Sequence, residues 1–153
     1  MKLFKYSLIV LISISLFSCE KDDDEASEIV PQTNTEKLCG KNFFVTDFEE
    51  TKNGVIISTI DSLTACDLDD FERYETNGVY TYDEGATKCD PTNPQTETGT
   101  WTFYDSETKL FYDNDTSFIQ NIIRNDGTVL ILVHSYIDMG DTIETTFTYT
   151  ARY

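Results

Sequence analysis

From residue 38 onward, short stretches rich in Thr, Val, Ile, Tyr and Phe alternate with turns that contain glycine. The last stretch is the clearest, because from Ile143 to Tyr153 apolar side chains alternate with Glu, Thr and Arg. That period of two is typical of a strand with one face in water. No window of helical length has a 3.6-residue apolar stripe. The pattern predicts nine strands, at 41–49, 54–61, 67–76, 79–84, 99–104, 108–113, 117–124, 128–137 and 142–153.

The residues between these stretches indicate sharp reversals. Asn53-Gly54, Asn77-Gly78 and Asp126-Gly127 are dipeptides that tolerate positive φ at both central positions of a tight hairpin. Successive strands joined in this way form a meander, and a meander of eight or nine strands removes its exposed edges by closing. We therefore expect an all-β fold, a small up-and-down antiparallel β-barrel of eight to nine strands. Val129 to Val133 is apolar on both faces, so a helix, a loop, the tether or a partner must cover its outer face.

The first residues have a different pattern. Lys2 and Lys5 precede a twelve-residue, mostly apolar run from Tyr6 to Phe17, which is too short to span a bilayer and has the length of a signal-peptide core. The run ends in Leu16-Phe17-Ser18-Cys19, which resembles the lipobox of bacterial lipoproteins. That resemblance implies a signal peptide at 1–18, with Cys19 acylated after cleavage. The alternative is an ordinary cleaved signal followed by a structural cysteine.

The segment after Cys19 is acidic or polar and predicts a disordered tether at 19–37, before a domain at 38–153. Its start, Glu20-Lys21-Asp22-Asp23, resembles the export signal of Bacteroidetes lipoproteins. The resemblance implies a lipid-anchored protein of the outer membrane, on the cell surface; a lipid-anchored periplasmic lipoprotein is the alternative. Several acyl chains on Cys19 would hold the protein there without a transmembrane helix, since each buried methylene contributes about 0.8 kcal/mol.

The charge narrows the choice of partners. The chain has 28 acidic and 11 basic residues, a formal net charge of −17, and loss of Lys2 and Lys5 with the signal peptide leaves −19. Such a surface repels phosphate backbones, which excludes nucleic acid as a partner. It gives no attraction to anionic lipid either, so the acyl groups must supply the membrane contact.

Two of the four cysteines are predicted to pair. If Asn77-Gly78 is a two-residue turn, residues whose numbers sum to 155 face each other, and Cys66 and Cys89 meet that condition. A disulfide is within reach at such positions and persists in an exported chain. A bulge in either strand would shift this register by one residue. Cys39 is interpreted as a small buried hydrophobe, because no basic cluster near it would lower its pKa.

Catalytic and metal motifs are few. His134 is the only histidine and sits inside the most apolar stretch, where a satisfied core or rim histidine is the expected role. With one histidine and paired cysteines, the usual zinc ligands are missing. Oxygen ligands for calcium are offered by Asp67, Asp69, Asp70 and Asp113-Asn114-Asp115, but no twelve-residue loop with the required spacing is present, so solvated turns are favoured. We expect a protein that is not an enzyme and has no cofactor or metal.

A resemblance to a known family extends these expectations. Its motifs are Cys66-Asp67-x-Asp69-Asp70, Tyr74, Asn77-Gly78-Val79-Tyr80-Thr81, Gly85, Lys88-Cys89-Asp90-Pro91 and Thr98-Gly99-Thr100-Trp101. Together they resemble the lipocalin-like domain of Bacteroidetes lipoproteins. The resemblance implies a lipocalin-like barrel with Cys66 paired to Cys89, in a family whose ligands are mostly undetermined. The Gly-x-Trp that opens a lipocalin's first strand is absent, because Gly40-Lys41-Asn42 stands there.

Two functions remain. In the first, the barrel binds a small hydrophobic ligand in a pocket that is mainly apolar with a few polar groups. Its predicted lining is Trp101, Phe103, Tyr112, Phe147 and Tyr149. In the second, these aromatic residues simply fill a narrow barrel. The protein is then a surface interaction or accessory module, which docks on a protein partner through the 129–133 strand or the 86–98 loop.

Overall fold

The fold is that of a computed structural model, which describes residues 31–153. The predicted signal peptide, Cys19 and the tether up to residue 30 lie outside these residues. The described part contains one short helix, nine strands and a 3₁₀ turn at Ile60–Ser62. The elements are α1 (Asn34–Leu38), β1 (Asn42–Lys52), β2 (Val55–Thr59), β3 (Phe71–Tyr74), β4 (Val79–Asp83), β5 (Thr96–Tyr104), β6 (Lys109–Tyr112), β7 (Ile119–Asn125), β8 (Val129–Asp138) and β9 (Asp141–Arg152).

Eight of the strands close into a ring. From β3 to β9 each strand pairs with the next in antiparallel fashion, and β1 joins the two ends by pairing with β3 on one side and β9 on the other. The remaining strand, β2, pairs with the second half of β1 and lies outside the ring. This arrangement confirms the predicted up-and-down barrel, and it is the architecture of the lipocalins.

The two ends of the barrel differ. The closed end carries α1 and the turns at 75–78, 105–108 and 126–128, and the open end carries the segment 60–70 and the loops 84–95 and 113–118. Every second residue of a strand faces inward, so the interior of the closed half is filled by apolar side chains. Five of these have no exposed surface: Phe43, Tyr74, Leu110, Leu130 and Leu132.

The helix α1 closes its end of the barrel. The side chain of Thr33 accepts a hydrogen bond from the Glu36 amide, and Glu36 accepts one from the Thr33 amide in return, which is the capping box that starts a helix. Leu38 has no exposed surface and belongs to the core. Lys41 is 7% exposed and its Nζ donates to the carbonyl oxygens of Lys37 and Gly127, each at 2.8 Å. Lysine at a helix C-terminus satisfies carbonyls that the helix leaves free.

This helix differs from the expectation that residues 34–37 belong to the tether. Five residues are too few to show an apolar stripe, and the local signal was the Thr-x-x-Glu spacing of Thr33 and Glu36. Among residues 31–153, no helix is long and apolar enough to cross a membrane.

The turns match the predicted ones only in part. Asn53-Gly54 is a two-residue turn with both φ values positive, at 50° and 77°. At Asn77-Gly78, however, Tyr74 pairs with Tyr80 and the Glu75 amide donates to the Val79 carbonyl, so the loop holds three residues and opposed numbers sum to 154. The register argument for the cysteines was therefore wrong by one residue.

The disulfide itself is confirmed. Cys66 and Cys89 are bonded, with their Cα atoms 5.2 Å apart. The one-residue error did not matter because both cysteines lie in irregular segments beyond the ends of β3 and β4, where register is not imposed. The bond joins the 60–70 segment to the 84–95 loop at the open end. Cys39 is the free cysteine of the described chain; it packs against the core, and burial raises the pKa of its thiol.

Candidate functional site

A cavity of about 430 Å³ occupies the open half of the barrel. Its floor is buried, since Phe43, Tyr149 and Gln120 are 0%, 3% and 5% exposed. Its mouth reaches solvent beside Phe118, which is 42% exposed, and Leu63 of the 60–70 segment. A cavity of this size falls within the range of small-molecule pockets. The interior is therefore only partly filled by side chains.

Three of the five predicted lining residues face this cavity. They are Tyr112, Phe147 and Tyr149. Trp101 and Phe103 do not line it. Trp101 packs at the closed end, where its ring stands at 89° to that of Phe103 and its Nε1 donates to the Glu75 carbonyl at 3.0 Å. Strand alternation places both residues inside the barrel but does not fix their height along its axis, which accounts for this correction.

Further aromatic residues of the lining were missed. Tyr80 and Tyr82 project from β4, while Phe118 lies at the mouth. Phe71 borders the cavity at the start of β3, but its ring packs against that of Phe44, 5.4 Å away. Alternation along residues 79–83 was sufficient to put Tyr80 and Tyr82 on one face. The cavity is thus bounded by aromatic rings from both sides of the barrel.

One carboxyl group lies at the buried floor of this cavity. Glu72 Oε2 accepts a hydrogen bond from the Tyr74 hydroxyl at 2.7 Å, and Oε1 accepts one from Tyr149 at 3.0 Å. Glu72 is partly exposed and lines the cavity. Burial raises the pKa of its carboxyl, and hydrogen bonds from the tyrosine hydroxyls oppose part of that rise.

A chain of hydroxyls extends from this carboxyl group. The Tyr74 and Tyr112 hydroxyls are 2.8 Å apart, and Tyr112 lies 2.8 Å from Gln120 Oε1. Glu72, Tyr74, Tyr112 and Gln120 thus share three contacts, but the two hydroxyls supply only two protons. The third proton must come either from a protonated Glu72 or from Gln120, if its side-chain amide is flipped so that the NH2 group faces the Tyr112 hydroxyl. Burial raises the pKa of both tyrosines well above the ordinary value, so they stay neutral.

Asp69 and Asp70 do not lie in solvated turns, contrary to expectation, whereas Asp113 and Asp115 are exposed. Asp70 is 7% exposed and accepts a hydrogen bond from the Tyr82 hydroxyl, and burial raises the pKa of its carboxyl. Asp69 Oδ2 accepts from the amides of Ala86 and Thr87, each at 2.9 Å. The 84–95 loop reaches Asp69 because Gly85 adopts φ +59°; a Cβ there would lie 2.2 Å from the Asp69 carbonyl oxygen.

Few side chains of residues 31–153 are candidates for a metal site or for catalysis. Within residues 31–153, the one group of three side chains close enough to share an ion is Cys66, Asp67 and Cys89, and its two sulfurs are consumed by the disulfide. His134 is half-buried beside Phe118, with Nδ1 3.1 Å from the Ile119 carbonyl oxygen. It is not among the residues that line the cavity.

Comparisons with known proteins add one structural likeness. No protein-family model matches the chain, and no curated protein matches it. Among solved structures, a deswapped triple mutant of bovine odorant binding protein is similar, with 15% identity over 76% of this chain and 74% of that chain and a TM-score of 0.42. The fold assignment rests on the strand order and on the closure of β1 against β9.

Proposed function

We propose that this protein is a lipid-anchored lipoprotein of the outer membrane whose barrel binds a small hydrophobic ligand without catalysis. The cavity carries the proposal: about 430 Å³ of space extends from a buried floor to a mouth at the surface, with aromatic rings around it. Apolar pockets with a few placed polar groups are the usual form of ligand sites. The lipoprotein part rests on the lipobox resemblance of Leu16 to Cys19.

Ligand binding is tested with the uncharged fluorescent dye N-phenyl-1-naphthylamine. The purified full chain carries Cys19→Ala throughout, so that no acyl group competes for the cavity. We expect saturable fluorescence enhancement that is displaced by decan-1-ol. Val45 lines the cavity, so Val45→Phe should reduce the affinity at least tenfold, while Val55→Phe, on the exposed strand β2, should leave it unchanged. Absence of dye binding, or equal binding by a folded Val45→Phe variant, would contradict the proposal.

The anchor is tested separately by membrane fractionation. Replacing Cys19 with Ala should release the chain from membranes, because the lipobox resemblance makes Cys19 the acylated residue. A Cys39→Ala variant is the control, and it should stay in the membrane fraction. Retention of the Cys19→Ala chain in membranes would refute lipid anchoring at this residue.

A second candidate function, docking on a surface protein, is favoured by β2. The closed ring has no free edge, but β2 pairs with β1 on one side only, and Val55, Ile56 and Ile57 are 66%, 55% and 53% exposed. The outer face of Val129 to Val133 is half-buried by comparison. Free strand edges can accept another strand. Replacing Ile56 with Lys should abolish cross-linking of surface neighbours and leave dye binding intact.

A further inference from the structure

Glu72 has no cationic partner in the cavity that it faces. Its two oxygens accept from Tyr74 and Tyr149, and the Tyr80 hydroxyl also hydrogen-bonds to the carboxyl group, which leaves one of its four lone pairs free. No lysine, arginine or histidine is among the cavity-lining residues of the described chain. Buried carboxylates in proteins are normally paired with a positive charge. The floor of the cavity can therefore accept hydrogen bonds or bind a positive charge, and no side chain that lines the cavity supplies a positive charge.

The remaining polar lining has the same sign. Asp67, Asp70 and Asp113 line the cavity closer to its mouth, and the whole chain carries a formal net charge of −17. A cleft lined by charges of one sign focuses the field and concentrates oppositely charged solutes. Cations are thus drawn to the mouth, and anions such as fatty-acid carboxylates are repelled.

Aromatic rings complete the arrangement. The rings of Tyr80 and Tyr112 are 5.2 Å apart, and those of Phe147 and Tyr149 are 5.9 Å apart; all four residues line the cavity. The faces of aromatic rings attract cations, and cages of such rings are the usual sites for quaternary ammonium groups. Rings that surround a buried carboxyl group bind an ammonium group better than they bind a neutral hydroxyl.

We propose that the ligand is a hydrophobic organic cation, an amine or quaternary ammonium compound with an apolar tail. This assignment rests on the proposed function, since it requires that the cavity binds a ligand. Its charged head lies against Glu72 and the surrounding rings of Tyr80, Tyr112 and Tyr149. Its tail extends toward Phe118 at the mouth. Glu72 is the residue that selects for charge, and the aromatic lining supplies the contact shared with neutral ligands.

Three ligands with the same ten-carbon tail test this assignment. Decyltrimethylammonium, decan-1-ol and decanoate are titrated below their micelle-forming concentrations, at pH 8, against the dye-loaded full chain carrying Cys19→Ala. We expect decyltrimethylammonium to displace the dye at a concentration at least tenfold lower than decan-1-ol, and decanoate to be the weakest. Displacement of the dye reports the cavity, so adsorption of the cation on the acidic surface does not contribute.

Two variants separate a local from a global charge effect. Glu72→Gln should raise the displacing concentration of decyltrimethylammonium at least tenfold and change that of decan-1-ol less than threefold. Glu49→Gln removes the same charge from an exposed position of β1 and should change neither by more than twofold.

The outcomes distinguish the two proposals. If decan-1-ol binds but decyltrimethylammonium binds no tighter, or if Glu72→Gln lowers both affinities equally, the cation assignment is wrong and a hydrophobic pocket remains. If none of the ligands and not even the dye binds, the proposed function fails and the cation assignment fails with it.

Discussion

Leu38 offers the sharpest test of how the closed end is built. Its side chain has no exposed surface and packs in the core with Phe43, Tyr74 and Trp101, although α1, to which it belongs, has only five residues. Leu38→Ala removes three carbons, which costs about 2.4 kcal/mol at roughly 0.8 kcal/mol per methylene. A cavity that does not collapse adds up to about 2 kcal/mol more. We expect the free energy of unfolding to fall by about 2.5 to 4.5 kcal/mol.

Urea unfolding followed by tryptophan fluorescence suits this measurement, because the only tryptophan, Trp101, is 7% exposed in the same cluster. Met139→Ala is the control; its side chain is 99% exposed, so the change should stay within about 0.5 kcal/mol. A loss below about 1 kcal/mol for Leu38→Ala would show that α1 contributes little to the fold, and the closed end would then need another explanation.

Three further predictions concern the cavity floor and the open end. Burial raises the pKa of Glu72 in the folded chain above its ordinary value of 4.5. The wild-type protein should therefore be as stable as the Glu72→Gln variant below about pH 4.5. It should lose stability relative to that variant as the pH rises from 4.5 through the folded pKa. Urea unfolding midpoints of both proteins from pH 4 to 8 test this, and a difference that does not change with pH would contradict it. Gly85→Ala should lower the free energy of unfolding by at least about 2 kcal/mol, because the Cβ meets the Asp69 carbonyl and φ is positive. Gly54→Ala is the control: φ is +77° but the surrounding space is open, so the loss in the same urea assay should be about 1 kcal/mol. Equal losses for the two variants would exclude the close approach at Gly85. Replacing Cys66 and Cys89 together with Ser should lower stability by about 3.4 kcal/mol for a sequence separation of 23, and an unchanged urea midpoint would mean that the bond constrains little.

The strand pattern was predictable because its signals are local. Alternation from Ile143 to Tyr153 and the turn dipeptide Asn53-Gly54 are each contained in a few residues, and the structure places β9 and the first hairpin there. Closure followed from the need to leave few free edges. The position of β2 outside the ring could not be predicted, because nothing in its composition distinguishes a strand of the ring from one beside it.

The site was less predictable, because depth in a barrel is not a local property. Trp101 and Tyr112 pair across β5 and β6, yet only Tyr112 lines the cavity. Glu72 was overlooked because a glutamate in an alternating strand is ordinarily assigned to the wet face. The signal lay in the neighbouring position: Tyr74, two residues further along β3, faces inward, so Glu72 must do so as well.

The bond between Cys66 and Cys89 ties together two segments beside the mouth of the cavity. Disulfides persist where the surroundings are oxidising and are rare in the cytosol. Under reducing conditions the two segments lose this covalent link, while the backbone pairing of the strands does not include either cysteine. Samples prepared with and without reductant therefore differ in whether the segments 60–70 and 84–95 are covalently linked.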